Sequence, residues 1–126
     1  FAWKGYPDNT KCFVIIMDDA DAMPVVGHVF VHWNFFNIPA TTTSIKEGQK
    51  SVEGSTMGMN HFKRRDYFRP CPPKGTPHTY TTSIYALNRR LDNIDSETPW
   101  TRMKFESLFK PDILNVTGIT GIYSIP

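Results

Sequence analysis

The chain has 126 residues, 40% of them hydrophobic and 21% charged, which suffices for one domain around one core. Its net charge of +2 is too small to make nucleic acid or an anionic membrane the main partner on electrostatic grounds. No apolar run approaches the roughly 18 residues that span a bilayer.

Phe1-Ala2-Trp3 lacks an initiating Met and any signal-peptide pattern, and reads as the interior of a longer sequence. The compartment therefore stays open, with the cytoplasm as the default expectation. Trp3, Gly5, Pro7 and Asp8 mark a turn after an aromatic strand end. Cys12–Met17 is a short apolar run rich in β-branched residues, as expected of a strand buried on both faces. Asp18–Gly27 is an acidic loop with a turn at Pro24–Gly27. Val29–Phe36 is the next strand, and a period of two puts Phe30, His32, Asn34 and Phe36 on one face. That face mixes aromatic and polar groups, as a pocket wall would. Asn37-Ile38-Pro39 closes it, since Pro cannot continue a central ladder.

Thr41–Arg69 is long, polar and irregular, a length expected of a functional loop. Its Lys63-Arg64-Arg65 run reads first as a solvated charge cluster. Pro70–His78 is rigid, because its prolines fix the backbone and Gly75 supplies a turn. Thr79–Leu87 is a β-branched and aromatic strand with His78, Tyr80, Thr82 and Ile84 on one face. Asn88–Ile94 is a turn with Arg89 and Arg90 exposed. One short helix is expected over residues 99–109, with Thr98 as N-cap, Pro99 at the first position and Pro111 beyond its end. Ile113–Tyr123 reads as a last strand interrupted by Gly118 and Gly121. The sum is a mainly β, antiparallel sandwich or Greek-key sheet in a single domain over residues 1–126.

Three carboxylates lie close together: Asp18, Asp19 and Asp21. They either cap N–H groups of a turn, or orient a histidine, hold a cation or meet an amine. Crowding them is unfavourable without an offsetting partner. His32, and His78 with Tyr80 on its face, would suit an anion such as phosphate, with the carboxylates tuning imidazole charge. Neither Cys12 nor Cys71 has a CxxC mate and there is no HExxH, so a zinc site finds little support. Cys12 is expected as a buried small hydrophobe, and a Cys12–Cys71 bridge is neither required nor excluded. Neither a nucleophile elbow nor a Gly-rich phosphate loop is present, so catalysis, cofactor and metal are not expected. Asn115-Val116-Thr117 matches the glycosylation acceptor pattern, but it lies in an expected strand.

The acidic D-D-A-D-A-M-P stretch leading into V-H-W-N, with the later P-C-P-P-K-G-T-P-H-T-Y, resembles the phosphatidylethanolamine-binding protein family, in its prokaryotic, Raf-kinase-inhibitor-like branch. Trp3-Lys4-Gly5-Tyr6-Pro7, Tyr85-Ala86-Leu87-Asn88 and Gly121-Ile122-Tyr123 carry the resemblance through the flanks. It implies a Greek-key β-sandwich with a small anion pocket for phosphate or phosphorylethanolamine-like head groups, in a protein that binds and in some relatives inhibits a kinase or protease. It implies ligand contacts from Asp19, Asp21, Phe30, His32, Pro72, Pro73, His78 and Tyr80. The sequence departs from the family pattern at Ala20, at an extra Met23, at Arg69 and at Thr79. The family's N-terminal strands are expected to be missing before Trp3, and no counterpart of the mammalian pocket-closing helix is expected after Pro126, so a more open pocket is expected.

Overall fold

The computed structural model describes residues 2–46, 49, 51–68, 70, 72 and 74–123. Five strands build one antiparallel sheet: β1 (Cys12–Asp19), β2 (Phe30–Pro39), β3 (Thr56–Met57), β4 (His78–Leu87) and β5 (Ile113–Tyr123). Their order is β3-β2-β1-β4-β5. Three consecutive strands fold back on one another and the fourth returns beside the first, which is the Greek-key path. β1 is central and buried along its whole length, because both its edges are paired and both its faces are covered.

One face of the sheet packs Phe13, Ile15, Met17, Trp33, Phe35, Tyr80 and Ile84 against Trp3 and Ile45. The other packs Val14, Ile16, Phe36, Tyr85 and Leu87 against Trp100 and Phe105. Phe105 belongs to α2 (Arg102–Phe109). The described strands thus form one sheet with a cover on each face. Where a sandwich would carry its second sheet, the described residues carry an isolated Ala2–Ser44 bridge beside Trp3 and Ile45.

Four local expectations change. β1 runs on through Asp18 and Asp19, which were expected in a loop. Pro24–Gly27 was expected as a turn, and the extra Met23 is taken up there in a short helix, α1 (Met23–Val26). Ala20–Ala22 forms a 3-10 turn before it, and Gly27 closes it at φ 84°. The N-cap of α2 is Thr101, whose hydroxyl accepts from Lys104 N, rather than Thr98. Thr98 instead donates its hydroxyl to Asp95. Fold-level packing chooses between the two threonines, because Asp18 accepts from Arg102 N at 2.8 Å and fixes where the helix begins.

The fourth change concerns β2. The strict alternation expected there is broken twice, because the register skips His32 between Trp33 and Val31 and slips again near Asn37. Asn37 takes φ 55°, a conformation that Asn tolerates better than most residues. Its amide clamps Leu91, accepting from Leu91 N at 2.7 Å and donating to Leu91 O at 3.0 Å. Asn34 pairs with Ile16 and Phe36 packs on the α2 side, so neither shares the face of Phe30 and His32. Behind them Gly58 has no room for a side chain, since a Cβ there would lie 2.6 Å from the Phe36 ring.

Candidate functional site

The sheet brings Phe30, Asp19 and Tyr80 into one rank across β2, β1 and β4. Residues directly opposite in a ladder project to the same face. The next strand, β5, places Gly121 beside Tyr80, so β5 adds no side chain to the rank at that position. The β2 bulge turns the His32 ring toward Phe30 and Tyr80, with centroids 5.2 and 5.1 Å away. The His78 ring lies 6.4 Å from Tyr80 on the other side.

The three carboxylates divide their work because neighbouring strand residues face opposite ways. Asp18 points toward α2 and holds Arg102 by its backbone N and by Nε, at 2.8 and 2.9 Å. Asp19 points toward the site. Its Oδ2 accepts from His78 Nδ1 at 2.6 Å, and its Oδ1 accepts from Asp21 N at 2.9 Å. Both Asp19 and His78 are 3% exposed. Asp21 is exposed, and its Oδ2 accepts from Thr79 N at 2.7 Å, tying the turn after β1 to the start of β4. Each carboxylate thus has its own donor, which offsets their crowding.

The pairing sets the imidazole tautomer. Since a carboxylate only accepts, His78 donates through Nδ1 and presents Nε2, which makes no hydrogen bond to any described residue. His32 Nδ1 lies 3.1 Å from Phe68 O, a carbonyl that likewise only accepts. Two buried imidazoles, one of them held by a carboxylate, beside an aromatic wall can hold a small anion. Among the described residues no group of three or more His, Cys, Asp or Glu is placed to hold a metal.

Of the expected contacts, Asp19, Phe30, His32, His78 and Tyr80 come together. Asp21 adjoins them but serves the backbone. Pro72 is buried in the loop ahead of β4, and Pro73 lies outside the described residues, as does Cys71. Cys12 is a buried free thiol, and burial pushes it up to about 11. A cleft lined by Trp3, Lys4, Tyr6 and Phe13 lies toward the far end of β1 and shares no residue with this cluster.

The sequence reading passed over His61. Its Nδ1 accepts from Val31 N at 2.7 Å, and its N donates to Val31 O at 3.0 Å, so it pairs like a strand residue with the edge of β2. Its ring lies 4.4 Å from His28 and 5.2 Å from Phe30. The four-residue spacing of His28 and His32 was the available signal that more than two histidines gather here. Burial, then the neighbouring His28 and His32, lower His61 from 6.5 to about 4. Its unfolded value is the higher one, so between pH 6.5 and 4 only the unfolded chain takes the proton. Stability should therefore fall across that window and level off below it. We expect about 1 kcal/mol after solvent screening, read as a denaturation midpoint that drops in the wild type but not in His61→Gln.

Comparison with known proteins places these features in a family. A model of the family described as phosphatidylethanolamine-binding protein matches residues 1–124. A protein of Aquifex aeolicus, known as a UPF0098 protein, is 34% identical over 96% of this chain and 70% of its own length. The Escherichia coli UPF0098 protein YbcL is 31% identical over 98% of this chain and 69% of its length. The crystal structure of E. coli YbcL, described as a new member of the mammalian PEBP family, superposes with a TM-score of 0.81 at 30% identity, covering 99% of this chain and 78% of that one. A PEBP homologue from Chlamydia trachomatis shares the fold, with a TM-score of 0.77 at 20% identity over 99% of this chain and 79% of that one.

Proposed function

Because the chain belongs to the phosphatidylethanolamine-binding protein family, we propose that it is a binding module whose Asp19–His78 pair, with His32 and Tyr80, takes a phosphate-bearing small molecule or head group. One observation carries this reading. A buried carboxylate fixes the His78 tautomer and leaves Nε2 for a ligand. Such an arrangement stabilises imidazolium when a phosphate oxygen arrives, and the bond formed is then charge-assisted. Phe30 and Tyr80 would flank the anion and keep bulk water from it.

Inorganic phosphate should accordingly bind the wild type at one saturable site. Calorimetry reads this as a single binding isotherm. No binding heat at any phosphate concentration would remove the reading.

Regulation of a kinase or protease through Lys63-Arg64-Arg65 has less support. Arg64 is paired with Asp66 at 2.6 Å, and Arg65 donates to Met57 O and Ser96 O. These side chains hold the loop together, and they would have to give up those contacts to meet a partner. Hydrolysis of a phosphate ester would need a nucleophile that this reading does not assign.

A further inference from the structure

Beyond its pairing with β3, the outer edge of β2 is met by the segment 58–68, which lies along it as a strap. Gly58 N donates to Asn34 O at 2.8 Å, His61 N to Val31 O at 3.0 Å and Phe68 N to His32 O at 3.2 Å. A bond that runs the other way, from Val31 N, ends on the His61 ring rather than on a carbonyl, with Nδ1 2.7 Å away. Val31 is fully buried. The strap also reaches the anion site. Its Phe62 ring lies 4.7 Å from Phe30 and 5.6 Å from His32, and it stacks at 3.7 Å on Phe68, whose carbonyl stands 3.1 Å from His32 Nδ1. An imidazole accepts at Nδ1 only while that nitrogen carries no proton. Imidazolium would set one N–H against another and leave the buried Val31 N without an acceptor. His61 is half-buried, so protons reach it from solvent. The titratable groups that face it are His28, with its ring 4.4 Å away, and His32, which shares Phe30 as a neighbour. Its own segment adds the cations Lys63, Arg64 and Arg65, and Asp66, which Arg64 already holds at 2.6 Å.

We propose that His61 is a proton-sensitive positioning residue: its neutral ring fastens the strap 58–68 to β2, and its protonation releases the strap together with the support that Phe62 and Phe68 give His32. What the strap does to a ligand rests on the anion-binding reading above, whereas its response to protons does not. In the released strap the ring is solvated and takes the ordinary value of 6.5, while burial, then His28 and His32, hold the fastened ring at about 4. The released form therefore binds the proton more tightly, and acid favours release. Protonation of His28 in the same range adds a like charge beside His61 and opposes its charging in the fastened form. An anion that needs His32 in place works the other way: it binds the fastened form, so by linkage it tightens the strap. The site thus loosens in acid through a residue that does not itself meet the ligand.

The test is amide hydrogen exchange at Val31 and Phe68, corrected for the intrinsic rate at each pH, in the wild type and in His61→Asn. The asparagine carbonyl stands where Nδ1 stood and accepts at any pH. Protection in the wild type should fall about fivefold from pH 7.5 to pH 5, with solvent screening allowed for. In His61→Asn it should change by less than about twofold. A second arm adds inorganic phosphate to the wild type at pH 7.5, at ten times the Kd found by calorimetry, and protection of both amides should rise about tenfold. Equal protection at the two pH values overturns the proposal. So does an equal loss in wild type and His61→Asn, which would place the proton elsewhere. If phosphate binds and leaves the strap's protection unchanged, the anion site stands and the strap's hold on it is overturned. If no binding heat appears, the anion reading fails, and the pH arm alone decides whether His61 fastens the strap.

Discussion

Asp19→Ala is expected to destabilise the protein by about 3 kcal/mol and to remove most of its affinity for phosphate. The carboxylate is buried in the central strand and accepts from two donors, His78 Nδ1 and Asp21 N. Alanine leaves both without a partner, and each costs about 1–3 kcal/mol when it can reach neither protein nor water. The second donor belongs to the turn that leads into α1, so the change also loosens the chain beside the site. Chemical denaturation measures the stability loss and calorimetry the affinity. Asp19→Asn separates the two effects. An amide oxygen still accepts a hydrogen bond, so much of the stability should return, but an amide does not favour imidazolium and the affinity should stay low. If Asp19→Asn binds phosphate as the wild type does, the carboxylate is there for the fold alone.

His78→Ala is expected to weaken phosphate binding by about 1.5–3 kcal/mol, a loss of roughly 10- to 100-fold, as for a hydrogen bond to a charged group. The same change leaves Asp19 Oδ2 without its donor, so some stability goes too. Binding must therefore be measured well below the unfolding temperature, with folding verified by near-ultraviolet circular dichroism. The His78→Gln variant retains a side-chain amide that can donate, and it should recover part of the affinity if hydrogen bonding to the anion is what was lost. Unchanged affinity in His78→Ala would move the site away from this residue.

The two variants probe features of unequal visibility in the sequence. β5 was legible to both ends, because Ile113–Tyr123 is rich in β-branched residues around its two glycines, Gly118 and Gly121, and follows a proline turn. The shared face of His78 and Tyr80 followed from the period of two, which β4 keeps without a break against β1. The face of Asn34 and Phe36 was misread because a bulge at His32 depends on how β1 and β2 pair, a relation between distant segments that no local pattern records. Asp18 and Asp19 looked like loop residues because Asp is rare in strands. Their partners, Arg102 and His78, lie 84 and 59 positions away. His61 was hidden for the same reason, since it pairs with Val31 from inside a long irregular segment. The family resemblance supplied what local reasoning lacked, by joining the acidic stretch to the proline-rich loop. It did not anticipate that the extra Met23 would become part of an exposed helical turn.

The most direct test is a titration of the wild-type protein with inorganic phosphate, followed by NMR of nitrogen-labelled histidine side chains. The ring-nitrogen signals of His32 and His78 should move together along one saturable curve. Signals of both rings that stay fixed, or that drift without saturation, would contradict an anion site at Asp19, His32 and His78.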